Sequence, residues 1–196
     1  TDSLKKLLAR QSTMHDADYA GDVPAYLFAL NTFIGLVAKL TAALALPSVS
    51  ENVLNEAVPL HDRIRSLESG VLFRDAGIEN LLNGDFFAWY ADDAGWKKFE
   101  KGIAALLAVL ANINFDISQK SPESTRDLFK GLYQSFVPRA LRHALGEFYT
   151  PDWLAGHVVN QAGWQLSNSL TDPTCGSGTF LLEAIRRRLS NATPRT

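Results

Sequence analysis

The sequence predicts a mainly α-helical fold, in which an all-helical first part precedes helix, strand and helix elements of a second part. Apolar residues recur every three or four positions through most of the chain, and no stretch shows the sustained period-two alternation of a half-buried strand. Near residue 170, a short strand candidate runs into a turn that contains glycine and then into another helical pattern. This order predicts that the second part mixes helix and strand.

Length and composition bound the class of protein. The chain has 196 residues, of which 46% are hydrophobic, with 19 Lys and Arg against 21 Asp and Glu. This is ample for a buried core and argues against disorder. Cys175 is the only cysteine, which excludes a disulfide framework and favours a reducing compartment. A net charge of -2 argues against a protein that grips nucleic acid by bulk electrostatics alone.

Charge divides the chain into two parts. Residues 1–119 carry 10 basic and 15 acidic side chains, a net of -5, whereas residues 120–196 carry 9 and 6, a net of +3. An acidic segment followed by a mildly basic one indicates two units with different partners. We therefore expect a helical accessory domain over residues 1–119 and a second domain that begins at residue 120.

Helical patterns fill the first part. The spacing predicts helices over Pro24–Leu46, ended by Pro47, and over Trp96–Asn114. Ser48–Glu51 resembles a capping box for a helix between them. Four aromatic residues between these helices are expected in the core: Phe86, Phe87, Trp89 and Tyr90.

No targeting or membrane segment is evident in the sequence. Residues 1–10 lack the apolar core of a signal peptide. The most apolar run, residues 26–46, is interrupted by Asn31 and Lys39 and is rich in alanine, so we interpret it as a core helix.

The second part begins with a helix-start signal at Ser121-Pro122. Thr150 and Pro151 signal another helix, with Thr150 as its N-cap. Residues 168–172 are a weak strand candidate, and residues 179–189 have a helical pattern that begins after a turn.

The most informative stretch is residues 172–182, which read Asp-Pro-Thr-Cys-Gly-Ser-Gly-Thr-Phe-Leu-Leu. A strand end, a glycine turn and a helix N-terminus in this order suit a zwitterionic or nucleoside ligand at the carboxyl end of a strand. Taken alone, the stretch also fits a plain glycine turn beside an aspartate. A phosphate loop is excluded because no Gly-Lys-Ser/Thr follows, and the dinucleotide fingerprint fails because Leu181 stands where its third glycine would be.

Two motifs together resemble a known family. Asp172 to Leu181 resembles the S-adenosylmethionine-binding motif of the DNA adenine amino-methyltransferases of restriction-modification and related phage-defence systems. Upstream, residues 146–151 read Gly-Glu-Phe-Tyr-Thr-Pro and resemble the Gly-x-Phe/Tyr-Tyr-Thr-Pro motif of the same family. The order and spacing leave room for one helix and one strand between them. The resemblance covers about residues 128–190, and it implies a Rossmann-like α/β methyltransferase domain.

The resemblance also implies a cofactor, S-adenosyl-L-methionine, and its binding residues. Asp172 and the backbone around the two glycines would line the methionine part, and the Tyr-Thr-Pro segment would close over it. Cys175 occupies a position where the family tolerates small residues, which indicates packing at the site and not a nucleophile. The implied cofactor-binding residues are Tyr149, Thr150, Pro151, Asp172, Cys175, Gly176 and Gly178.

The family's catalytic motif is missing. Enzymes of this kind flip the target adenine out of the duplex and hold it with an Asn/Asp-Pro-Pro-Tyr/Phe motif. The chain has eight prolines, and no two are adjacent. We therefore assign no catalytic residue, and we expect the chain to be the amino-terminal part of the enzyme and inactive alone.

Other candidate residues suggest no further chemistry. The four His, with one Cys, show no metal-ligand spacing, so no metal is expected. Arg142 and His143 fit a solvated helix face, and the run Arg186–Arg188 complements a helix dipole. Trp153 and Trp164 are expected in the core.

Three functions remain open, and a prokaryotic cytoplasmic location is expected for the leading one. That function is DNA adenine methylation by the parent protein, with DNA and a specificity, nuclease or defence-complex subunit as partners. The second is a helical protein-interaction module, which the acidic residues 1–119 favour. The third is methylation of RNA or protein; the motif at residues 146–151 argues against it, because that motif resembles the one in DNA adenine methyltransferases.

Overall fold

A computed structural model gives the structure of the chain. It describes residues 22–79, 81–82, 86–113, 115, 130–131, 133–134, 137, 139, 142–143 and 146–191. Every regular element among these residues is a helix, and none of these residues forms a strand. The described residues within 24–117 form one compact unit, and those on either side of it in the sequence belong to a second unit. The expected boundary at residue 119 and the helix start at Ser121-Pro122 lie outside the described residues.

Every regular element among the described residues of the first unit is a helix, as the apolar spacing predicted. Its elements are α1 (Val23–Ala45), α2 (Pro47–Leu54), α3 (Leu60–Glu68), α4 (Val71–Asp75), a 3-10 helix (Phe86–Ala91) and α5 (Asp93–Ala111). The predicted helices agree with α1 and α5 to within three residues at each end.

The predicted capping box at Ser48–Glu51 is wrong. Helix α2 begins at Pro47, its N-cap is Leu46, and no side chain caps it. Proline suits the first helical position because its φ is already helical and it has no N–H to satisfy there. Pro47 therefore both ends α1 and opens α2, and Ser48 lies inside the first turn.

The core of the first unit forms where α1, α3 and the shorter helices meet. Leu40, Val53, Ile64, Leu67 and Phe73 have no exposed surface. Each comes from an apolar position repeated at helical spacing, so the pattern selects the buried face. Burial of each such side chain contributes about 1.5–3 kcal/mol.

Helix α1 is apolar for most of its length. Within it, residues 24–45 are long and apolar enough to cross a membrane, judged by length and composition alone. Its buried face packs into the core through Leu36, Leu40 and Ala43. The same helix carries Lys39, whose Nζ lies 2.5 Å from Oε2 of Glu68 in α3. This packing supports our interpretation of α1 as a core helix.

A buried polar cluster joins three elements of the first unit. Lys39 of α1 and Glu68 of α3 are each only 6% exposed, and the Tyr90 hydroxyl donates a hydrogen bond to Oε1 of Glu68. Each carboxylate oxygen of Glu68 thus has its own donor. A buried charge is tolerated only when it is paired and hydrogen-bonded in this way.

The prediction that the four aromatic residues of the segment 86–90 lie in the core holds for Tyr90 alone. Phe86 is 73% exposed, and Trp89 is partly exposed although its indole N–H donates to the Thr32 hydroxyl at 3.1 Å. These residues lie on a 3-10 helix, which has three residues per turn. Successive rings therefore point around the axis and cannot all face one core.

The second unit contains α6 (Asp152–Gln161) and α7 (Thr179–Ser190). Both agree with the predicted helices to within about two residues. The predicted strand at residues 168–172 does not form, because Ser167 and Asn168 lie in a turn and bend, and residues 169–172 have no regular structure. A strand needs a hydrogen-bonded neighbour, and no described segment pairs with it.

Helices α6 and α7 run parallel with a fixed register. The Arg187 side chain binds Asn160, and the Glu183 and Arg187 side chains lie nearest to Gly156. Gly156 and Asn160 lie 27 residues before Glu183 and Arg187, respectively. Equal offsets in the same direction mean that both helix N-termini lie at the same end of the pair.

Candidate functional site

A cavity lies where the two sequence motifs meet, at the N-terminal end of α6 and α7. Its volume is about 320 Å³, within the range of small-molecule pockets. Its lining residues are Gly146, Glu147, Phe148, Tyr149, Thr150, Thr174, Cys175, Gly176, Ser177, Thr179 and Phe180. The fold therefore brings together, as two walls of one cavity, two segments that are separated by 23 residues in the sequence.

Four of the seven predicted site residues line this cavity, namely Tyr149, Thr150, Cys175 and Gly176. The other three are not among the lining residues: Pro151 and Gly178 adjoin lining residues in the sequence, and Asp172 lies two residues before Thr174. Binding of a cofactor by these seven residues remains a prediction.

The first motif starts at a defined helix end. The Gly146 N–H donates to the carbonyl of His143 at 3.2 Å, and the Glu147 N–H donates to the carbonyl of Arg142 at 2.8 Å. Gly146 has a φ of 77°, as the helix-terminating left-handed position requires. The chain therefore leaves the helix sharply and passes along the cavity as residues 147–151.

Lys130 holds the end of this motif. Its Nζ donates to the main-chain carbonyl of Thr150 at 2.7 Å and to Oδ1 of Asp152 at 3.0 Å. Its side chain is only 14% exposed. A shielded ammonium with two oxygen partners fixes the backbone at the entry to α6.

Tyr133 holds the beginning of the motif. Its hydroxyl donates a hydrogen bond to Oε2 of Glu147, and its ring contacts that of Tyr149 at a centroid distance of 5.8 Å. Burial, and then the hydrogen bond and charge of Glu147, raise the pKa of Tyr133 well above its usual range. The hydroxyl therefore stays protonated and donates over the whole physiological range.

Thr150 is not the N-cap of α6, so that prediction is wrong. The N-cap is Pro151, whose carbonyl accepts from the N–H of Leu154 and of Ala155, and no side chain caps the helix. The helix thus begins one residue later than predicted. The Thr150 side chain therefore does not cap the helix, and Thr150 is among the residues that line the cavity.

The second motif is a tight turn into α7. Oδ1 of Asp172 accepts from the N–H of Thr174 at 3.1 Å, and the Gly178 N–H donates to the carbonyl of Cys175 at 2.7 Å. Gly176 and Gly178 have φ values of 54° and 85°, which L-residues adopt rarely. A Cβ added at either glycine would meet nothing within 4 Å, so the backbone is open to close approach.

Two polar atoms in this turn lack partners. Oδ2 of Asp172 and Oγ of Ser177 are shielded from solvent, and neither has a hydrogen-bond partner in the described part of the chain. Leaving a shielded polar group unsatisfied costs about 1–3 kcal/mol, so such groups in native proteins call for a partner. A carboxylate oxygen and a hydroxyl beside an open glycine turn suit a ligand that carries an ammonium or hydroxyl group.

The electrostatics of the two helix ends complement these groups. The first amides of α6 and of α7 have no intrahelical acceptor, and both helix dipoles place their positive ends toward the cavity. Such ends favour an anionic group. With Asp172 nearby, the site offers separate places for a positive and a negative group, as the amino acid part of S-adenosylmethionine requires.

The arginine run at the end of α7 is engaged in protein contacts. Nη2 of Arg187 donates to the carbonyl of Gly156 at 2.9 Å. Arg188 donates to the carbonyls of Leu166 and Asn168, with its guanidinium 5.5 Å from the ring centre of Trp164. These bonds add specific partners to the predicted dipole effect.

Trp153 departs from the prediction that it is core, because it is 73% exposed. It occupies the second position of α6, where the inner side of the helix is taken by Ala155 and Val159, both buried. Trp164 is half-buried against Arg188.

Sequence reasoning missed Lys130, Tyr133 and Ser177. Lys130 and Tyr133 are three residues apart in a helical segment, so they share a helix face. That spacing indicates that the two side chains lie on the same side of the helix, but it does not indicate which residues they contact. Of the residues the structure describes, no three His, Cys, Asp or Glu come together as a metal site.

Comparison with known proteins identifies the kind of domain. Residues 139–192 match the RMKL-like methyltransferase domain family. This match spans both motifs, and it confirms the methyltransferase resemblance. The family implies an S-adenosylmethionine-type methyl donor.

Individual relatives agree. The chain is 33% identical over 94 residues to the methylase subunit of the type I restriction enzyme EcoEI of Escherichia coli, covering 47% of this chain and 18% of that protein. It is 26% identical over 135 residues to the methylase subunit of the type I enzyme MjaVII of Methanocaldococcus jannaschii, covering 69% and 20%. A Synechocystis protein named as an RNA methyltransferase is 50% identical over 54 residues, covering 28% and 14%.

The chain therefore spans no more than a fifth of the length of these relatives. The recognised relatives include methylase subunits of restriction-modification enzymes, as the two motifs predicted. No solved structure matches the chain significantly.

Proposed function

We propose that this chain forms part of the S-adenosylmethionine site of a DNA adenine-N6 methyltransferase from a restriction-modification or related phage-defence system. The observation that carries the proposal is the cavity between the two motifs, with the shielded, partnerless oxygens of Asp172 and Ser177 in the turn beside it. The protein would act in the prokaryotic cytoplasm.

The residues divide the work of binding. Asp172 would take the ammonium of the methionine part, while the N-terminus of α7 and the Thr150 hydroxyl would take its carboxylate. Gly176 and Gly178 would let the ligand approach the backbone, with Tyr149, Pro151 and Cys175 closing and packing the site. When bound, S-adenosylmethionine supplies an electrophilic methyl group.

DNA is favoured over RNA as the substrate by the extent of the matches. Residues 118–196 number 79, so the 94- and 135-residue matches to type I methylase subunits reach into the preceding part of the chain. The match to the protein named as an RNA methyltransferase covers only 54 residues. Because these matches extend beyond the cofactor-binding domain into the helical part, they support a restriction methylase more than a match to the cofactor-binding domain alone would.

The target base would be held elsewhere. No two prolines are adjacent in this chain, so the Asn/Asp-Pro-Pro-Tyr/Phe element that holds a flipped adenine would come from another part of the protein. This chain would then contribute cofactor binding and assembly.

A second function for the first unit is supported by its surface. Residues 1–119 carry a net charge of -5, which suits a protein partner better than DNA. Phe86 is 73% exposed in contact with Phe28 and Phe87. We propose that this unit assembles with a specificity, nuclease or defence-complex subunit. Phe86→Ser should weaken co-purification of that subunit while leaving cofactor affinity unchanged; retained assembly would contradict the role of Phe86.

Titration calorimetry with S-adenosylmethionine tests the cofactor site in the full-length protein. Asp172→Ala should weaken binding by about ten- to a hundredfold, because a charged hydrogen bond contributes about 1.5–3 kcal/mol. Gly178→Val should weaken it strongly, because a branched residue is strained at a φ of 85° and fills the approach to the backbone. Thr150→Val should cost about 1 kcal/mol, the value of one neutral hydrogen bond.

Asp75→Ala, an exposed aspartate in α4, is the matched control and should bind like wild type. If Asp172→Ala and Gly178→Val also bind like wild type, the site assignment is wrong. The isolated chain should bind more weakly than the full-length protein, because the adenosine half of the pocket would come from further strands.

A further inference from the structure

Arg187 makes one connection that the methyltransferase motifs do not explain. It lies near the end of α7, remote from the cavity, and its side chain is 25% exposed. Its guanidinium donates to three oxygens: Oε1 of Glu183 at 2.7 Å, Oδ1 of Asn160 at 2.7 Å and the main-chain carbonyl of Gly156 at 2.9 Å. Two of these three acceptors belong to α6.

The contact with Gly156 is to the helix backbone itself. A Cβ at Gly156 would lie 3.5 Å from Oε1 of Glu183 and 3.9 Å from Nη2 of Arg187. The guanidinium and its carboxylate partner thus lie directly over α6. A bond to a main-chain carbonyl holds the helix axis in place, whereas a bond to a side chain can follow rotamer changes. The planar fork of arginine carries five N–H donors in fixed directions, so its three bonds also fix the orientation of the guanidinium.

The two joined helices each begin at one motif. Helix α6 follows residues 146–151, and helix α7 follows residues 172–178. Because the helices are parallel, a shift of one along the other moves one cavity wall relative to the other by the same distance. A helix transmits such a shift along its axis as a rigid element.

We propose that Arg187 is a positioning residue that sets the separation of the two motifs and thereby the shape of the cavity. It touches no cavity-lining residue in these contacts and acts through α6 and α7. Its effect on cofactor affinity rests on the proposed function, but its effect on the separation of the motifs does not.

A distance measurement tests the proposal without cofactor. Cys175 is the only cysteine of the chain and is exposed in the second motif. Trp153→Cys adds a second label site at an exposed position beside the first motif. With spin labels at both positions, pulsed electron resonance reports the separation of the cavity walls. Arg187→Met should broaden and shift this distance distribution.

Arg188→Met is the matched control. It removes the same charge from the neighbouring position of α7, and the bonds it loses go to the carbonyls of Leu166 and Asn168 instead of α6. Its distance distribution should match that of the doubly labelled protein in which both Arg187 and Arg188 are intact. If Arg187→Met leaves the distribution unchanged, or if both variants broaden it equally, the proposal is wrong. Should Arg187→Met fail to fold, Asn160→Ala removes one acceptor at an exposed position and should broaden the distribution less.

Calorimetry with S-adenosylmethionine on the unlabelled, full-length variants separates the two proposals. Arg187→Met should weaken binding about tenfold, since small misplacements of a site cost tenfold or more, and Arg188→Met should not. A wild-type protein that binds no S-adenosylmethionine would overturn the cofactor proposal while the distance data still decide the role of Arg187. Unchanged affinity in Arg187→Met, with binding intact in wild type, would show that the motif separation does not control the site.

Discussion

Lys130 and Thr150 are joined by a hydrogen bond of 2.7 Å from the Lys130 Nζ to the Thr150 carbonyl oxygen. The same ammonium lies 3.0 Å from Oδ1 of Asp152, the first residue of α6. A side chain 20 residues upstream therefore fixes the backbone on which the Tyr-Thr-Pro motif is built. Lys130 thereby holds in place a residue that lines the cavity.

Replacing Lys130 should loosen this motif. Lys130→Met keeps the length of the side chain but removes both charge-assisted hydrogen bonds, each worth about 1.5–3 kcal/mol. We expect S-adenosylmethionine affinity of the full-length protein to fall about tenfold in calorimetry. Arg139→Met, at an exposed position of the same segment, should change it less than twofold; equal losses in the two variants would point to net charge instead.

The hydrogen bond from Tyr133 to Glu147 should make stability depend on pH. The pKa of Tyr133 is raised in the folded state, so its contribution is complete below the usual tyrosine pKa of about 10 and is lost as pH rises through the folded value. Wild type should therefore lose stability above about pH 10. Tyr133→Phe should be less stable at pH 7 by about 1 kcal/mol, and its deficit should shrink in alkali. A deficit that stays constant between pH 7 and pH 11 in urea unfolding would argue against the bond.

Single substitutions in the buried cluster of Lys39, Glu68 and Tyr90 should lower the free energy of unfolding. Lys39→Met leaves the Glu68 carboxylate buried without its ammonium, which costs about 3–5 kcal/mol. Adding Glu68→Gln removes the charge and keeps an acceptor for the Tyr90 hydroxyl, so the double variant should recover most of the loss. Urea unfolding measures both. Lys97→Met, at an exposed position of α5, is the control and should be nearly neutral; a double variant no better than Lys39→Met would reject this explanation.

The chain alone should not methylate DNA. The adenine-holding Pro-Pro element is missing from its 196 residues. Purified chain, radiolabelled S-adenosylmethionine and mixed duplex DNA are the components of the assay, and the incorporated label should equal that of a no-protein blank. Turnover above the blank, abolished by Gly178→Val, would overturn this prediction.

Local pattern accounts for the helices. In α1, α5 and α7, apolar residues at three-and-four spacing select one buried face; Pro47 marks the end of α1, and Gly178 marks the start of α7. The strand predicted near residue 170 fails for the opposite reason, because a strand exists only through a neighbour that the segment does not itself encode. The position of Phe86 fails because apolarity cannot distinguish a 3-10 helix, whose rings point all around, from an α-helix with one buried face.

The site was predictable where chemistry is local and unpredictable where it is not. Glycine at residues 176 and 178 indicates a turn with positive φ, and both residues have positive φ in the structure. By contrast, Lys130 and Tyr133 act across 14 to 22 residues on Glu147, Thr150 and Asp152. Such pairings depend on the path of the chain between them, which spacing alone does not determine.

The shared offset of 27 residues between α6 and α7 restricts how this segment can vary in length. One residue added or removed within residues 162–178 changes which side chain faces Gly156 unless a compensating bulge absorbs it. Distant sequences that retain this geometry should therefore keep the same number of residues between the Gly-x-Phe-Tyr-Thr-Pro and Gly-x-Gly motifs, even where most residue identities differ. The number of residues between the two motifs, more than the identity of those residues, is then the feature by which such a helix pair can be found in other sequences.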